Sequence, residues 1–169
     1  EAGEASTTGD ATRAAALARE ALDLWHGPVL SGVPLHLGAH AQAERLDELR
    51  SRAHEIRVDA DLALGRHAEV VGELRQLVNE SPYRQRLVAQ LMVALYRSGR
   101  HAEALEIYEK TRRALDDDLG LQPSEELRRL AGQIVRQEPQ LRTPARMVQA
   151  SSDQRTTRKT PTRARAIAL

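Results

Sequence analysis

The sequence predicts an all-α protein: about six helices, stacked as helical hairpins in a right-handed superhelix and followed by a disordered basic C-terminal tail. Three observations predict this. The string Gly65-Arg66-His67-Ala68-Glu69 returns 34 residues later as Gly99-Arg100-His101-Ala102-Glu103, and a period of that length marks stacked helix–turn–helix units. Aromatic residues are only 2% of the chain and Phe is absent, so Leu, Ala and Val must fill the core, which suits packed helices better than a β-sandwich. No segment shows the apolar–polar alternation of a half-buried strand.

Each element has its own local reason. Residues 1–8 are small and polar and are expected to fray. Asp10 is a good N-cap for a first helix running to about Trp25, with Leu17, Ala18, Ala21, Leu22 and Trp25 on its inner face. Gly27-Pro28 stops it, and residues 27–38, with three Gly and two Pro, read as a loop. A second helix is predicted from about Ala39 to Leu64, because Leu46, Leu49, Ala53, Ile56, Ala60 and Ala63 step by threes and fours, the period of one buried stripe. Gly65 ends it as a left-handed cap.

The third helix is predicted from about His67 to Glu80, burying Val70, Val71, Leu74, Leu77 and Val78, until Ser81-Pro82 breaks it. The fourth spans roughly Tyr83 to Ser98 with Leu87, Leu91, Ala94 and Leu95 inward, and Gly99 caps it. The fifth, His101 to about Asp117, buries Ala104, Leu105, Tyr108 and Leu115. After Gly120 and Pro123, Ser124 is a good N-cap for a sixth helix to about Arg136, with Glu125 and Glu126 favourable against its dipole. Glu138-Pro139 closes the ordered part. Residues 142–169 are rich in Arg, Thr, Ser and Pro without apolar periodicity and are expected to be disordered.

Charge divides the chain at the same place. From Arg142 onward there are seven basic residues against one acid, a net +6, whereas residues 1–141 carry 18 basic and 23 acidic side chains, a net −5. The mildly acidic body does not look like a nucleic-acid surface. The basic tail reads either as an arm that follows phosphates or as a linker to a further domain. It lacks aromatic residues for base stacking, which favours the linker. There is no Cys, hence no disulfide framework or thiolate site. No apolar run approaches a membrane span and no signal peptide opens the chain, so a cytoplasmic protein without a membrane partner is expected.

The 34-residue repeat matches the tetratricopeptide pattern: a Gly at the turn within the hairpin, a small residue five positions later, a large apolar residue nine positions later, and a closing Pro. The second copy supplies Gly99, Ala104 and Tyr108, with Leu91 and Leu95 on the preceding helix. The first supplies Gly65, Val70, Leu74 and Pro82, and Val70 in place of Ala predicts a splayed hairpin. Gly9, Ala14 and Ala21 form a third, partial copy whose first helix is expected upstream of Glu1, so the chain is expected to be cut from a longer protein.

In such a stack the first helix of each hairpin lines the inner groove. By repeat position the candidate partner-groove residues are Arg52, Glu55, Asp59, Arg86, Val93, Tyr96 and Arg97, a mixture suited to a protein or peptide partner. Val93 and Tyr96 fit the core equally well.

Chemistry-bearing patterns are weak. His36, His40 and Glu44 share the i, i+4, i+8 spacing of metal ligands, but Pro34 and Gly38 disfavour a helix there and no further ligand is placed to complete the shell. Asp116-Asp117-Asp118 before Gly120 has the wrong spacing for a calcium loop, with Leu127 where a closing Glu is needed. There is no Gly-rich phosphate loop and no assembled nucleophile, base and orienter. No enzyme activity, cofactor or metal is expected.

The phrase Ala21-Leu22-Asp23-Leu24-Trp25-His26-Gly27-Pro28 resembles the signature of the bacterial transcriptional activator domain, the tetratricopeptide-like domain of the Streptomyces antibiotic regulatory proteins and their larger AfsR-like relatives. The resemblance continues through Glu44 to Arg50, is strongest from Leu91 to Arg100 and Glu103 to Leu105, and ends with Leu119-Gly120-Leu121-Gln122-Pro123-Ser124-Glu125-Glu126-Leu127. It covers about residues 9–141. His26, Gln85 and His101 depart from the commoner residues, which leaves the fold untouched but bears on partner contacts.

This resemblance implies a non-catalytic activator and dimerisation module. It implies contact with RNA polymerase, a sigma factor or a partner subunit. Promoter DNA, typically of secondary-metabolite genes, is bound by a winged-helix domain that precedes it. The alternative is a tetratricopeptide adaptor or sensor gating an attached NTPase module, for which the tail is the linker.

Overall fold

The structure, a computed structural model, describes residues 10–25 and 37–142. Among them are six α-helices and one closing 3-10 turn, without strands: α1 (Ala11–Asp23), α2 (Leu37–Ala63), α3 (His67–Glu80), α4 (Gln85–Arg97), α5 (His101–Leu119), α6 (Glu125–Val135) and the turn Pro139–Leu141. The expectations for residues 1–9, 26–36 and 143–169 lie outside the described residues.

The helix ends follow from local chemistry. Asp10 Oδ1 accepts the Arg13 N–H at 3.0 Å and so caps α1, and Ser124 Oγ accepts the Leu127 N–H at 3.3 Å to cap α6. Gly65 (φ +84°) and Gly99 (φ +78°) take the left-handed conformation that reverses the chain. Behind them the Arg66 N–H reaches the Asp61 carbonyl and the Arg100 N–H the Leu95 carbonyl, each at 2.9 Å, satisfying carbonyls that a helix end otherwise leaves open. Gln137 adopts φ +52° after α6, where the Glu138 N–H reaches the Gln133 carbonyl at 3.1 Å.

Helices α2 and α3 form one hairpin about Gly65, and α4 and α5 another about Gly99. Helix α1 packs along α2 as α3 packs along α4, and α6 joins α4 and α5. Helices α2, α4 and α6 therefore share one face of the stack. Helix α4 is central: Leu87, Val88, Leu91, Met92, Leu95 and Tyr96 are all buried, against Val70, Val71 and Leu74 of α3, Val58 and Leu62 of α2, and Leu127 and Ile134 of α6. Each such aliphatic side chain contributes about 1.5–3 kcal/mol by leaving water. Val70 is buried where Ala104 stands in the second hairpin. The α2–α3 hairpin is the more open of the two, consistent with that larger side chain.

Two predicted faces are corrected. On α1 the buried residues are Ala14, Ala15 and Ala18, while Leu17, Ala21, Leu22 and Trp25 are only half-buried. The helix approaches α2 through alanines, with Ala14 and Ala15 against Ala60, because small side chains permit a close crossing. On α2 the predicted stripe holds only in its second half: Ala60 is buried and Ala53, Ile56 and Ala63 are half-buried, but Leu46 and Leu49 are 37% and 49% exposed, and among the described side chains of α2 the buried positions fall between Arg57 and Leu62. That half of α2 is flanked by α1, α3 and α4 at once, so its buried arc is wider than one stripe and takes in Arg57 and Asp61, which pair with each other.

Boundaries shift slightly. Helix α2 begins at Leu37, inside the expected loop. Helix α4 begins at Gln85, because Ser81–Arg84 closes as a turn with the Arg84 N–H on the Ser81 carbonyl at 3.1 Å. Helix α5 continues to Leu119, and Tyr83 Oη donates to Asp118 Oδ2 at 2.9 Å in its last turn.

Candidate functional site

Because α2, α4 and α6 lie side by side, their outward residues line a shallow groove of about 340 Å³. Helix α2 supplies Asp59, Leu62 and Ala63. Helix α4 supplies Arg86, Ala89, Gln90, Val93 and Arg97. Helix α6 supplies Glu126, Arg129, Leu130 and Gln133. The start of α6 is held to the start of α4 by the Ser124 N–H, which donates to Gln85 Oε1 at 2.6 Å.

One end of the groove is an ion lattice. Arg86 Nη2 lies 2.5 Å from Asp59 Oδ2, and its Nε lies 3.5 Å from Glu55 Oε2. Arg84 pairs with Glu48 and lies 3.7 Å from Glu55. The Asp59 carboxylate holds the Arg86 guanidinium above its ordinary value. Burial pushes Glu55 up, against the pull of Arg86 and Arg84. Between these charges Gln90, 5% exposed, donates through Nε2 to the Glu55 carbonyl at 2.8 Å and to Asp59 Oδ1 at 2.7 Å.

Arg97 closes the other end. Its Nε donates to the Leu141 carbonyl at 2.8 Å and its Nη1 to the Leu62 carbonyl at 3.0 Å. A cation there meets the negative end of the α2 dipole and fixes the 3-10 turn to the stack. Burial holds Arg97 below its ordinary value.

Of the residues picked from sequence, Asp59, Arg86, Val93 and Arg97 line this groove, and Glu55 lies beneath its rim, bonded to Arg86. Arg52 is exposed on α2 outside the lining. Tyr96 is corrected: it is 2% exposed, stacked on His101 at 4.5 Å, and belongs to the core. Gln90 and the α6 residues escape sequence reasoning. The 34-residue step from Gly99 lands on Gln133, inside α6, so no glycine in register marks α6 as the equivalent of α4, and the longer loop after α5 shifts its position. The equivalence of α4 and α6 shows only in their packing.

His40 and Glu44 are exposed on α2, and His36 lies outside the described residues. Among the described residues no three His, Asp or Glu side chains cluster as a metal site, and no helix is long and apolar enough to cross a membrane. A second cleft of about 320 Å³ lies on the opposite side, between α3 and α5, over Leu91 and Thr111.

The sequence profile of the bacterial transcriptional activator domain matches residues 1–135. The chain is 49% identical over 140 residues to the regulatory protein AfsR of Streptomyces coelicolor, covering 82% of this chain and 14% of AfsR. It is 41% identical over 131 residues to the regulatory protein DnrI of Streptomyces peucetius, covering 78% of this chain and 48% of DnrI. A solved structure of Mycobacterium tuberculosis EmbR, in complex with a low-affinity phosphopeptide, superposes with a TM-score of 0.79 at 35% identity, over 92% of this chain and 42% of that one. The chain thus spans less than half the length of each of these relatives.

Proposed function

We propose, from the premise that this chain belongs to the bacterial transcriptional activator domain family, that it is the non-catalytic activator and dimerisation module of a transcriptional regulator. In this reading it contacts RNA polymerase, a sigma factor or a partner subunit through its helical surface. A winged-helix domain elsewhere in the regulator holds promoter DNA, with secondary-metabolite genes as the targets and the cytoplasm as the compartment. The observation that carries the reading is the groove of α2, α4 and α6, where three arginines stand beside aliphatic surface, and arginine is enriched at protein interfaces.

The body of the chain supports a division of labour between activation and DNA binding. Half of its described arginines are tied to carboxylates, among them Arg57, Arg75, Arg84, Arg86, Arg100 and Arg112. Cations held in this way are poorly placed to neutralise a run of phosphates.

A gel-shift assay at physiological salt tests this. The isolated chain is expected to bind promoter DNA weakly and without sequence preference, and to elute as a dimer by size exclusion with light scattering. Tight, sequence-specific DNA binding by the chain alone would overturn the reading.

A further inference from the structure

The apolar stripe of α2 runs on past the end of the helix that covers it. Leu46, Leu49, Ala53, Ile56 and Ala60 repeat at steps of three and four and so lie along one line of the helix. Helix α1 covers the later part of that line, with Ala14 and Ala15 against Ala60 and with Ala11 and Leu64 beside them. These contacts make α1 and α2 antiparallel, and each rises by about 1.5 Å per residue, so Asp23 at the end of α1 stands level with about Arg52. Leu46 and Leu49 lie beyond that point and are exposed.

The charges along the edges of this stretch are of one sign. By the helical period Arg45 and Arg50 flank the two leucines on opposite sides, and Arg52 follows Arg45. Neither Arg45 nor Arg50 has a hydrogen bond or ion pair among the described residues. Arg52 acts on Glu48, which is itself paired with Arg84. The acids of this half of α2, Glu44, Asp47 and Glu48, fall on the opposite arc of the helix. The exposed acids of α1, Glu20 and Asp23, lie on the side of α1 turned away from Ala14 and Ala15, which face α2.

An apolar line with a guanidinium on each edge selects its occupant. A second copy of the chain on the same line would set arginine against arginine in either orientation, and opposed like charges are unfavourable. A nucleic-acid backbone would set phosphates against Leu46 and Leu49. A helix with leucines in the same rhythm and carboxylates beside them buries both leucines and pairs with both arginines.

We propose that the first half of α2 docks an acidic amphipathic helix of a partner protein, which continues along α2 the packing that α1 begins. The proposal rests on the partner-binding reading above and adds a second contact surface, on a different face of α2 from the groove.

The test is an NMR titration of the ¹⁵N-labelled chain with a blocked helical peptide of two Leu-Ala-Ala-Leu-Glu-Ala-Glu heptads, and with the same peptide carrying Lys for each Glu. Shifts from the Glu peptide are expected at the amides from Arg45 to Arg50. The Lys peptide is expected to bind about tenfold more weakly, because two exposed pairs each turn from attractive to repulsive. Arg45→Glu/Arg50→Glu is expected to reverse that order. Leu46→Ser/Leu49→Ser is expected to abolish the shifts from both peptides with the helical circular dichroism unchanged, since both sites are exposed.

Equal affinity for the two peptides, or an order unchanged by Arg45→Glu/Arg50→Glu, would overturn the proposal. So would shifts confined to the α3–α5 cleft or to the groove, or shifts at Arg45 and Arg50 from a DNA duplex and not from the peptide. Self-association of the free chain that is lost in Leu46→Ser/Leu49→Ser would give the stripe to a second copy. Movement of the Leu46 and Leu49 amides in Val33→Ser/Leu35→Ser would give it to residues 26–36. Either result would overturn the proposal. If the titration fails while the chain, tethered to DNA, still activates transcription, the docking proposal falls and the activator reading stands.

Discussion

Arg57 Nη1 donates to Asp61 Oδ2 at 2.9 Å, one turn along α2, with Arg57 8% and Asp61 2% exposed. Asp61 also accepts from Arg19 of α1 at 2.6 Å and from Arg66 at 3.2 Å. Arg57 reaches on to Glu73 of α3, 2.5 Å away, and His54 Nδ1 shares that carboxylate at 3.1 Å. One buried acid thus ties α1 to the first hairpin. Asp61→Ala removes the buried carboxylate shared by Arg57, Arg19 and Arg66, leaves Arg57 with Glu73 alone, and is expected to lower stability by about 3 kcal/mol. Arg19→Ala, whose side chain is 44% exposed, is expected to cost less than about 1 kcal/mol. Urea denaturation of the two variants checks the ratio.

Two turn residues are expected to respond with opposite sign. Gly99 has φ +78° and open space where the methyl group of an alanine would stand, so Gly99→Ala tests the backbone alone. It is expected to cost about 1–2 kcal/mol. Gln137 already bears a side chain at φ +52°, and Gln137→Gly is expected to be neutral or stabilising by up to about 1 kcal/mol. Thermal melts of both variants give the two signs.

The exposed half of α2 should contrast with the core. Leu74→Ala, at a fully buried site, is expected to lose about 2–5 kcal/mol. Leu49→Ala, at a site 49% exposed, is expected to stay within about 0.5 kcal/mol. A comparable loss at Leu49, measured by urea denaturation, would mean that the predicted stripe is buried after all.

Acid sensitivity should appear first at His67. Burial holds it below its ordinary value of 6.5, and Arg97 adds to the effect, while its Nδ1 is buried without a partner. A depressed value in the fold means that the unfolded chain binds the proton more readily. The associated stability is intact above pH 6.5 and is lost as pH falls through the folded value. Glu73 is also depressed, chiefly by the hydrogen bond from His54, but its contribution is lost only in the carboxylate range. The urea midpoint is therefore expected to drop as pH falls below about 6.5, and to drop less in His67→Asn.

Most of the scaffold is legible in the sequence because its punctuation is local. Asp10, Gly65, Ser81-Pro82, Gly99, Gly120 and Ser124 act on their own few residues, and α3 runs from His67 to Glu80 as its pattern predicts. What escapes is set by neighbours. The alanine face of α1 depends on how closely it approaches Ala60. The buried arc of α2 depends on three helices meeting it at once. At the groove, the α2 and α4 residues follow from the repeat, but Gln90 looks like a solvated amide until Glu55 and Asp59 are placed beside it. Arg129 belongs to a helix whose glycine marker is missing.

The most direct measurement of the central claim is transcription from a promoter to which this chain is tethered by an unrelated DNA-binding domain, using Streptomyces RNA polymerase in vitro. The unaltered chain is expected to activate. Ala89→Glu/Arg129→Glu, which charges the groove, is expected to lose activation while the helical circular dichroism and the occupancy of the tethering site stay unchanged. Full activation by that variant, or none by the unaltered chain, would mean that this groove is not an activating surface.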